Sequence, residues 1–175
     1  MGTQIWDWVS GAIALNPQVY RQILQADQGL AIALVIVLLA GISQTLGQCI
    51  VLFVNRVRPV RFIFSVVMSA LLFVCTFLFW GVSVVIIGAI GFGLPWTFEP
   101  TFRVLGLSYA PQLFGILVAL PHLGIPISVI LSIWSLLTLT AGIADLRAFA
   151  DFSLWEALLC TGLGWLMLQM LQRTV

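Results

Sequence analysis

Long apolar runs separated by short polar breaks make up most of this chain. The first 28 residues are the exception. Ile5, Trp6, Trp8, Val9, Ala12 and Ile13 recur at helical spacing, with Gln4, Asp7 and Ser10 between them. Asn16-Pro17 reads as an N-cap followed by proline at the first helical position, which predicts a short helix over 17–25 bearing Tyr20 and Arg21. Paired tryptophans suit the headgroup level of a bilayer. Residues 1–28 are therefore expected to lie flat on a membrane as an amphipathic surface segment. A cap packed against the remainder of the chain is the alternative.

Five apolar runs follow, at about 29–54, 62–88, 102–120, 125–144 and 154–171. A helix needs ~20 apolar residues at 1.5 Å each to cross the hydrocarbon of a bilayer. The expected fold is all-α: a polytopic integral membrane bundle of five transmembrane helices, 29–175, behind the N-terminal interfacial helix. Within the first run, Gly41, Gln44, Thr45, Gln48 and Asn55 fall within about a third of the helix circumference. Glutamines are costly in lipid tails, so this face should turn inward, either to bond neighbouring helices or to line a solute path. Ser128, Ser132, Ser135 and Gly142 form a similar stripe in the fourth run, and the two stripes could pack together. Pro111, just after Tyr109, removes a backbone donor and should kink the third run, which enters on Arg103. The linker LPHLGIP suits a tight turn, and its His122, the one histidine, is expected to be a solvated turn residue.

Composition strengthens the membrane reading. Of 175 residues, 62% are hydrophobic and 7% are charged, against ~25% charged in a typical soluble domain. All seven basic residues are arginines. Cys49, Cys75 and Cys160 sit at unrelated spacings within apolar runs, which indicates neither a disulfide framework nor a metal site. The first stretch lacks the basic region of a signal peptide. With no lysine there is no phosphate-binding loop of the usual kind. No His/Cys/Asp cluster has metal spacing, and no acidic residue lies near His122 to complete a triad. The six carboxylates sit at segment ends; Glu156 opens the fifth run, where it favours a helix N-terminus. Enzymatic activity, cofactors and nucleic-acid binding are not expected.

Charge also orients the chain. Arg56, Arg58 and Arg61 cluster around Pro59 between the first two runs, and clustered arginine in a short turn marks the cytoplasmic side. Five crossings would then put the C-terminus inside and the N-terminus outside. The same arginines suit anionic headgroups.

The segment LNPQVYRQIL, before the first run, and LGLSYAPQLFGILVALPHLGIPISVILSIWSLLTLTAGI, across the third and fourth, resemble the prokaryotic branch of the Ypt-interacting-protein (Yip) family. The resemblance covers roughly residues 16–172. It implies five membrane spans and no catalysis, and in the eukaryotic branch it implies binding of Rab-type GTPases and an N-terminus in the cytosol. This chain has no DLYGP-like segment, and it has SYAP where that branch has a GYxxxP-like spacing, so GTPase binding is not carried over.

The expected function is thus non-enzymatic: organising protein partners or lipids in the bilayer. Its working surfaces would be the arginine turn, the Tyr109–Pro111 segment and the small-residue faces. Expected partners are the lipid bilayer and other membrane proteins or further copies of the chain. One alternative is a small-solute or ion transporter using Gln44, Gln48, Arg103 and the Pro111 break. Another is an accessory or assembly subunit of a larger membrane complex.

Overall fold

A computed structural model describes residues 2–54, 58–92, 97–120, 122–145, 158–159 and 161–166. The described residues form an all-α structure. Helices α1 (Gly2–Ile13) and α2 (Gln18–Gln25) form a hairpin, followed by α3 (Gly29–Val54), α4 (Pro59–Phe92), α5 (Phe98–Ser108), a 3-10 segment (Ala110–Ala119) and α6 (Gly124–Asp145).

Three helices are long and apolar enough to cross a membrane, over Gly29–Val54, Pro59–Ile90 and Gly124–Ile143. A fourth crossing arises if α5 and the 3-10 segment count as one span bent by 41°. The first and fourth runs match their expected bounds to within a residue. The second does not stop at 88: α4 has 34 residues and is about 50 Å long at 1.5 Å per residue. After Pro59 no proline, and after Arg61 no charged residue, interrupts it before Phe92. Pro59 opens it, since a missing N–H costs nothing at the first helical position. Arg61 consequently stands in the first turn of α4 rather than in a loop. Most of the expected fifth span, 154–171, lies outside the described residues, as do Asn55, Arg56 and the 146–152 link. Residues 158–159 and 161–166 are helical.

The third run departs most from a single helix. Its helical conformation begins at Phe98, four residues earlier than expected, and α-geometry ends at Ser108. The proline that was expected to bend it does more than bend it. Without an N–H at Pro111, and with its ring against the carbonyl one turn back, the α-ladder cannot continue. The chain goes on as ten residues of 3-10 helix, an uncommon length for that conformation. At about 2.0 Å per residue, those ten residues advance about 20 Å.

α1 ends in a hydrogen-bonded αL cap. Asn16 N–H donates to the Gly11 carbonyl (2.9 Å) and Leu15 N–H to the Ala12 carbonyl (3.0 Å), with Leu15 at φ 58°. The Asn16 side chain accepts a bond from Gln18 N–H at 3.0 Å and so starts α2 as its position predicted. Trp8, Val9, Ala12, Val19, Tyr20 and Ile23 of this hairpin are buried in one core with Ala33 and Ile36 of α3, Phe77 and Trp80 of α4, Val104, Leu105 and Leu107 of α5, and Leu139 and Ile143 of α6. The two tryptophans part company: Trp8 donates to the Gln22 side chain at 2.9 Å, while Trp6 is 70% exposed. The hairpin is seated along α6 as well as at its end. Trp134 Nε1 donates to the Ile13 carbonyl (3.1 Å), and Gly142, eight residues further on, abuts the Tyr20 ring.

Candidate functional site

The break between α5 and the 3-10 segment is where this bundle concentrates its polar chemistry. A helix broken in hydrocarbon leaves carbonyls and amides that water cannot satisfy. Here, neighbouring hydroxyls take that role. Ser108 Oγ donates back to the Leu105 carbonyl (2.6 Å). The Ser108 carbonyl accepts from Thr138 Oγ1 of α6 (3.0 Å). On the other side, Ser43 of α3 forms a fork: its hydroxyl donates to the Leu113 carbonyl (2.6 Å) and accepts from Ile116 N–H (3.0 Å). α3 and α6 thereby clasp the broken span from two sides. The 3-10 segment packs against both, so the stripes of the first and fourth runs do not form one joint face.

Close backbone approach completes the clasp. A Cβ on Gly47 would lie 2.9 Å from the Gly115 carbonyl, and one on Gly115 would lie 3.0 Å from the Gln44 Cα. Gly106 meets Ala33 in the same way, at 2.7 Å from its Cβ. Such contacts are how membrane helices gain dispersion energy where lipid supplies no hydrophobic drive.

The predicted residues are distributed around this break rather than gathered at one point. Tyr109 is at its centre and is 4% exposed. Its ring meets Phe73 and Phe77 of α4 edge-on, with centroids 5.6 and 5.4 Å away, and Trp80 at 5.9 Å. Edge-to-face pairs of this kind add to area burial. Pro111 is buried at the start of the 3-10 segment. Gln44 and Gln48 are half-buried on α3. Their stripe partner Thr45 turns back on its own helix, donating to the Gly41 carbonyl (2.8 Å). Arg58 and Arg61 are exposed at the opposite end of the spans, and Arg56 lies outside the described residues.

Arg103 does something its sequence position did not suggest. Its Nη1 donates to the Leu24 (2.8 Å), Ala26 (2.9 Å) and Ile23 (3.3 Å) carbonyls, and its Nη2 meets Glu99 Oε1 at 2.6 Å. The guanidinium therefore caps the C-terminus of α2, where carbonyls and the helix dipole attract a cation. It ties the hairpin to α5, and α5 to the loop that enters α3.

No family model, no curated protein and no solved structure matches the chain. What the break does must therefore be read from its own geometry. Among the described residues, no group of three or more His, Cys, Asp or Glu could hold a metal ion. Cys49 is half-buried and Cys75 exposed, both as free thiols.

Residues outside the predicted set do much of the holding. Ser43, next to Gln44, and Thr138 make the interhelical bonds. Tyr20 packs its ring on Gly142 and Val104 Cγ1 lies beside the same glycine. Burial pushes the Tyr20 phenol well above its ordinary range, offset in part by nearby Thr138. The Thr138 hydroxyl proton is already committed to the Ser108 and Ser135 carbonyls. Among the described residues, the Tyr20 and Ser135 hydroxyls meet no geometric hydrogen-bond partner. The fourth-run stripe is legible only in part: Ser128 bonds its own helix at Ile125 (2.8 Å), whereas Ser132 accepts from Trp165 Nε1 (2.8 Å). Thr140 and Thr161 hydroxyls meet at 3.0 Å, and Trp80 Nε1 donates to the Thr161 carbonyl at 3.3 Å, so the described part of the last run lies between α4 and α6.

Proposed function

We propose that this chain is a non-enzymatic, five-span integral membrane protein of the Yip kind that organises protein partners or lipids in the bilayer. The observation that supports this most is the use made of the polar groups at the broken span. The hydroxyls of Ser43, Ser108 and Thr138 are spent on backbone carbonyls, and Gly47 and Gly115 bring two backbones into contact beside Gln44. A solute path would need those groups free and that seam open. Arg103, the one charged side chain described within the crossing segments beyond their first turn, is held by three carbonyls and Glu99. The outward faces of α3 and α4 are apolar and suited to lipid or to other membrane helices.

The orientation that goes with this reading places Arg56, Arg58 and Arg61 on the cytoplasmic side. Labelling of single cysteines at 58 and 61 by an impermeant reagent is expected only in inverted vesicles. Labelling from outside intact cells reverses the topology.

A second reading, a small-solute or ion transporter, has one observation in its favour: the 41° break itself, since transporters bind substrate at discontinuous helices. Flux in reconstituted vesicles separates the two. No uptake above protein-free vesicles is expected. Uptake abolished by Gln48→Leu would overturn the organising role in favour of transport. Crosslinking from native membranes then identifies partners, including those of a larger complex if the chain is an accessory subunit.

A further inference from the structure

A groove of about 470 Å³ opens between α3 and α4. Its floor is Gly41, Phe73 and Phe77. Gly41 gives the groove its depth, because a Cβ there would meet the Phe73 ring at 3.0 Å. The two phenylalanines are braced from behind by Tyr109, so the floor is a rigid aromatic wall. The rim is different in kind: Leu38, Ile42, Leu46, Val74 and Leu78 are all 40–65% exposed and carry branched aliphatic side chains. The one hydroxyl in the lining, Thr45, is already bonded to the Gly41 carbonyl. The groove offers no polar partner to a ligand.

We propose that this groove binds a single acyl chain of a membrane lipid. The rim selects that occupant over a helix from a second copy, and the lining and the length fit it. Helices that pack in membranes need small residues at the contact so that backbones can approach. Here Gly41 is at the floor; of the exposed lining residues only Ala70 is small, and the bulky Leu34, Leu38, Ile42, Leu46, Val74 and Leu78 around it hold another backbone away. An unbranched flexible chain can enter between such side chains. The lining is wholly aliphatic and aromatic apart from a satisfied hydroxyl, which matches a hydrocarbon tail and gives a polar molecule nothing to bond. The length also fits. From Leu34 to Leu46 the groove runs twelve residues along α3, about 18 Å at 1.5 Å each, close to the ~15 Å hydrocarbon depth of one leaflet.

The inference needs only that the chain is embedded in a bilayer. Solute flux would overturn the organising role and leave this site untouched. The test uses the full-length protein in phosphatidylcholine nanodiscs doped with a phosphatidylcholine that carries a diazirine on one acyl chain. Photolabel is mapped by peptide mass spectrometry. Leu72, exposed on the opposite side of α4, reports bulk lipid. Labelling at Leu38 and Val74 should exceed that at Leu72 by roughly tenfold and should saturate as the photolipid fraction rises. Ala70→Phe and, separately, Ile42→Trp should plug the groove and bring its labelling down to the Leu72 level. Both positions are exposed, so folding should be retained, as judged by an unchanged melting temperature. Equal, unsaturable labelling on both faces overturns the proposal, as does groove labelling that neither plug reduces. Disulfide formation between Leu38→Cys copies with loss of groove labelling also overturns it, and makes a second copy the occupant.

Discussion

Replacing Ser43 by alanine should cost this fold about 2 kcal/mol. The substitution removes one small polar group from the middle of α3 and takes away the side-chain partner of two backbone groups in the 3-10 segment. These are the Leu113 carbonyl, now accepting at 2.6 Å, and the Ile116 amide, now donating at 3.0 Å. In a soluble interior, each buried group left unpaired costs about 1–3 kcal/mol. Interhelical side-chain bonds in membranes average only ~0.6 kcal/mol, with a maximum near 1.7, because the unfolded chain in lipid also finds partners. Two such bonds bracket the loss at about 1–3 kcal/mol. The middle of that range is taken here, because one hydroxyl serves both backbone groups. Reversible unfolding by sodium dodecyl sulfate titration in mixed micelles measures the difference. Ser128→Ala is the matched control, since Ser128 bonds only its own helix and is exposed; it should fall within ~0.5 kcal/mol of the parent. Ser43→Thr keeps the hydroxyl and should recover part of the loss. If Ser43→Ala is no more costly than Ser128→Ala, the fork does not hold the broken span and the clasp must rest on glycine packing alone.

Other outcomes follow from the same contacts. Arg103→Lys loses the planar fork that reaches several carbonyls at once. Amide exchange over residues 18–28 should speed up markedly while α4 is unaffected, whereas Glu99→Gln, altering an exposed partner, should change stability by less than ~1 kcal/mol. Gly142→Ala places a Cβ at 2.6–2.7 Å from the Tyr20 ring and Val104; it should destabilise by about 1–3 kcal/mol, and Gly162→Ala, whose Cβ would meet none of the described residues within 4 Å, should leave the melting temperature unchanged. Tyr20→Phe removes a buried hydroxyl with no hydrogen-bond partner among the described residues, so it should be neutral or slightly stabilising at pH 7. The folded-state phenol is raised above its ordinary value of 10.0. Its contribution is therefore fully present below pH 10 and is lost as pH rises beyond it, because only the unfolded chain releases the proton there. Thermal melts from pH 8 to 11 should show that loss in the parent and a smaller one in Tyr20→Phe.

Which segments are helical, and where one of them breaks, could be read from order along the chain. In hydrocarbon a backbone must satisfy its own polar groups, so an apolar run of sufficient length has little choice but helix. Pro111 imposes its break locally, and Asn16 starts α2 with a bond to a residue two positions away. Those outcomes depend on neighbours in sequence and survive without knowledge of packing. α4 ran past its expected end because Gly88 and Gly91 weaken a helix without stopping it, and no proline does so before Phe92.

Partner choice was a different matter. A serine or threonine within a span can bond its own helix one turn back or reach across to another. Thr45 and Ser128 do the first; Ser43 and Thr138 do the second. Angular bookkeeping grouped Gln44 with Thr45 and left out Ser43, although Ser43 makes the interhelical fork. Arg103 likewise carried no sign in sequence that three carbonyls some eighty residues earlier would hold it. Sequence alone therefore determined which runs are long and apolar enough to cross a membrane, and where one of them breaks. The tertiary structure decided which polar group answers each orphaned carbonyl, because that depends on helix tilt and on glycine-set approach distances that no single helix encodes.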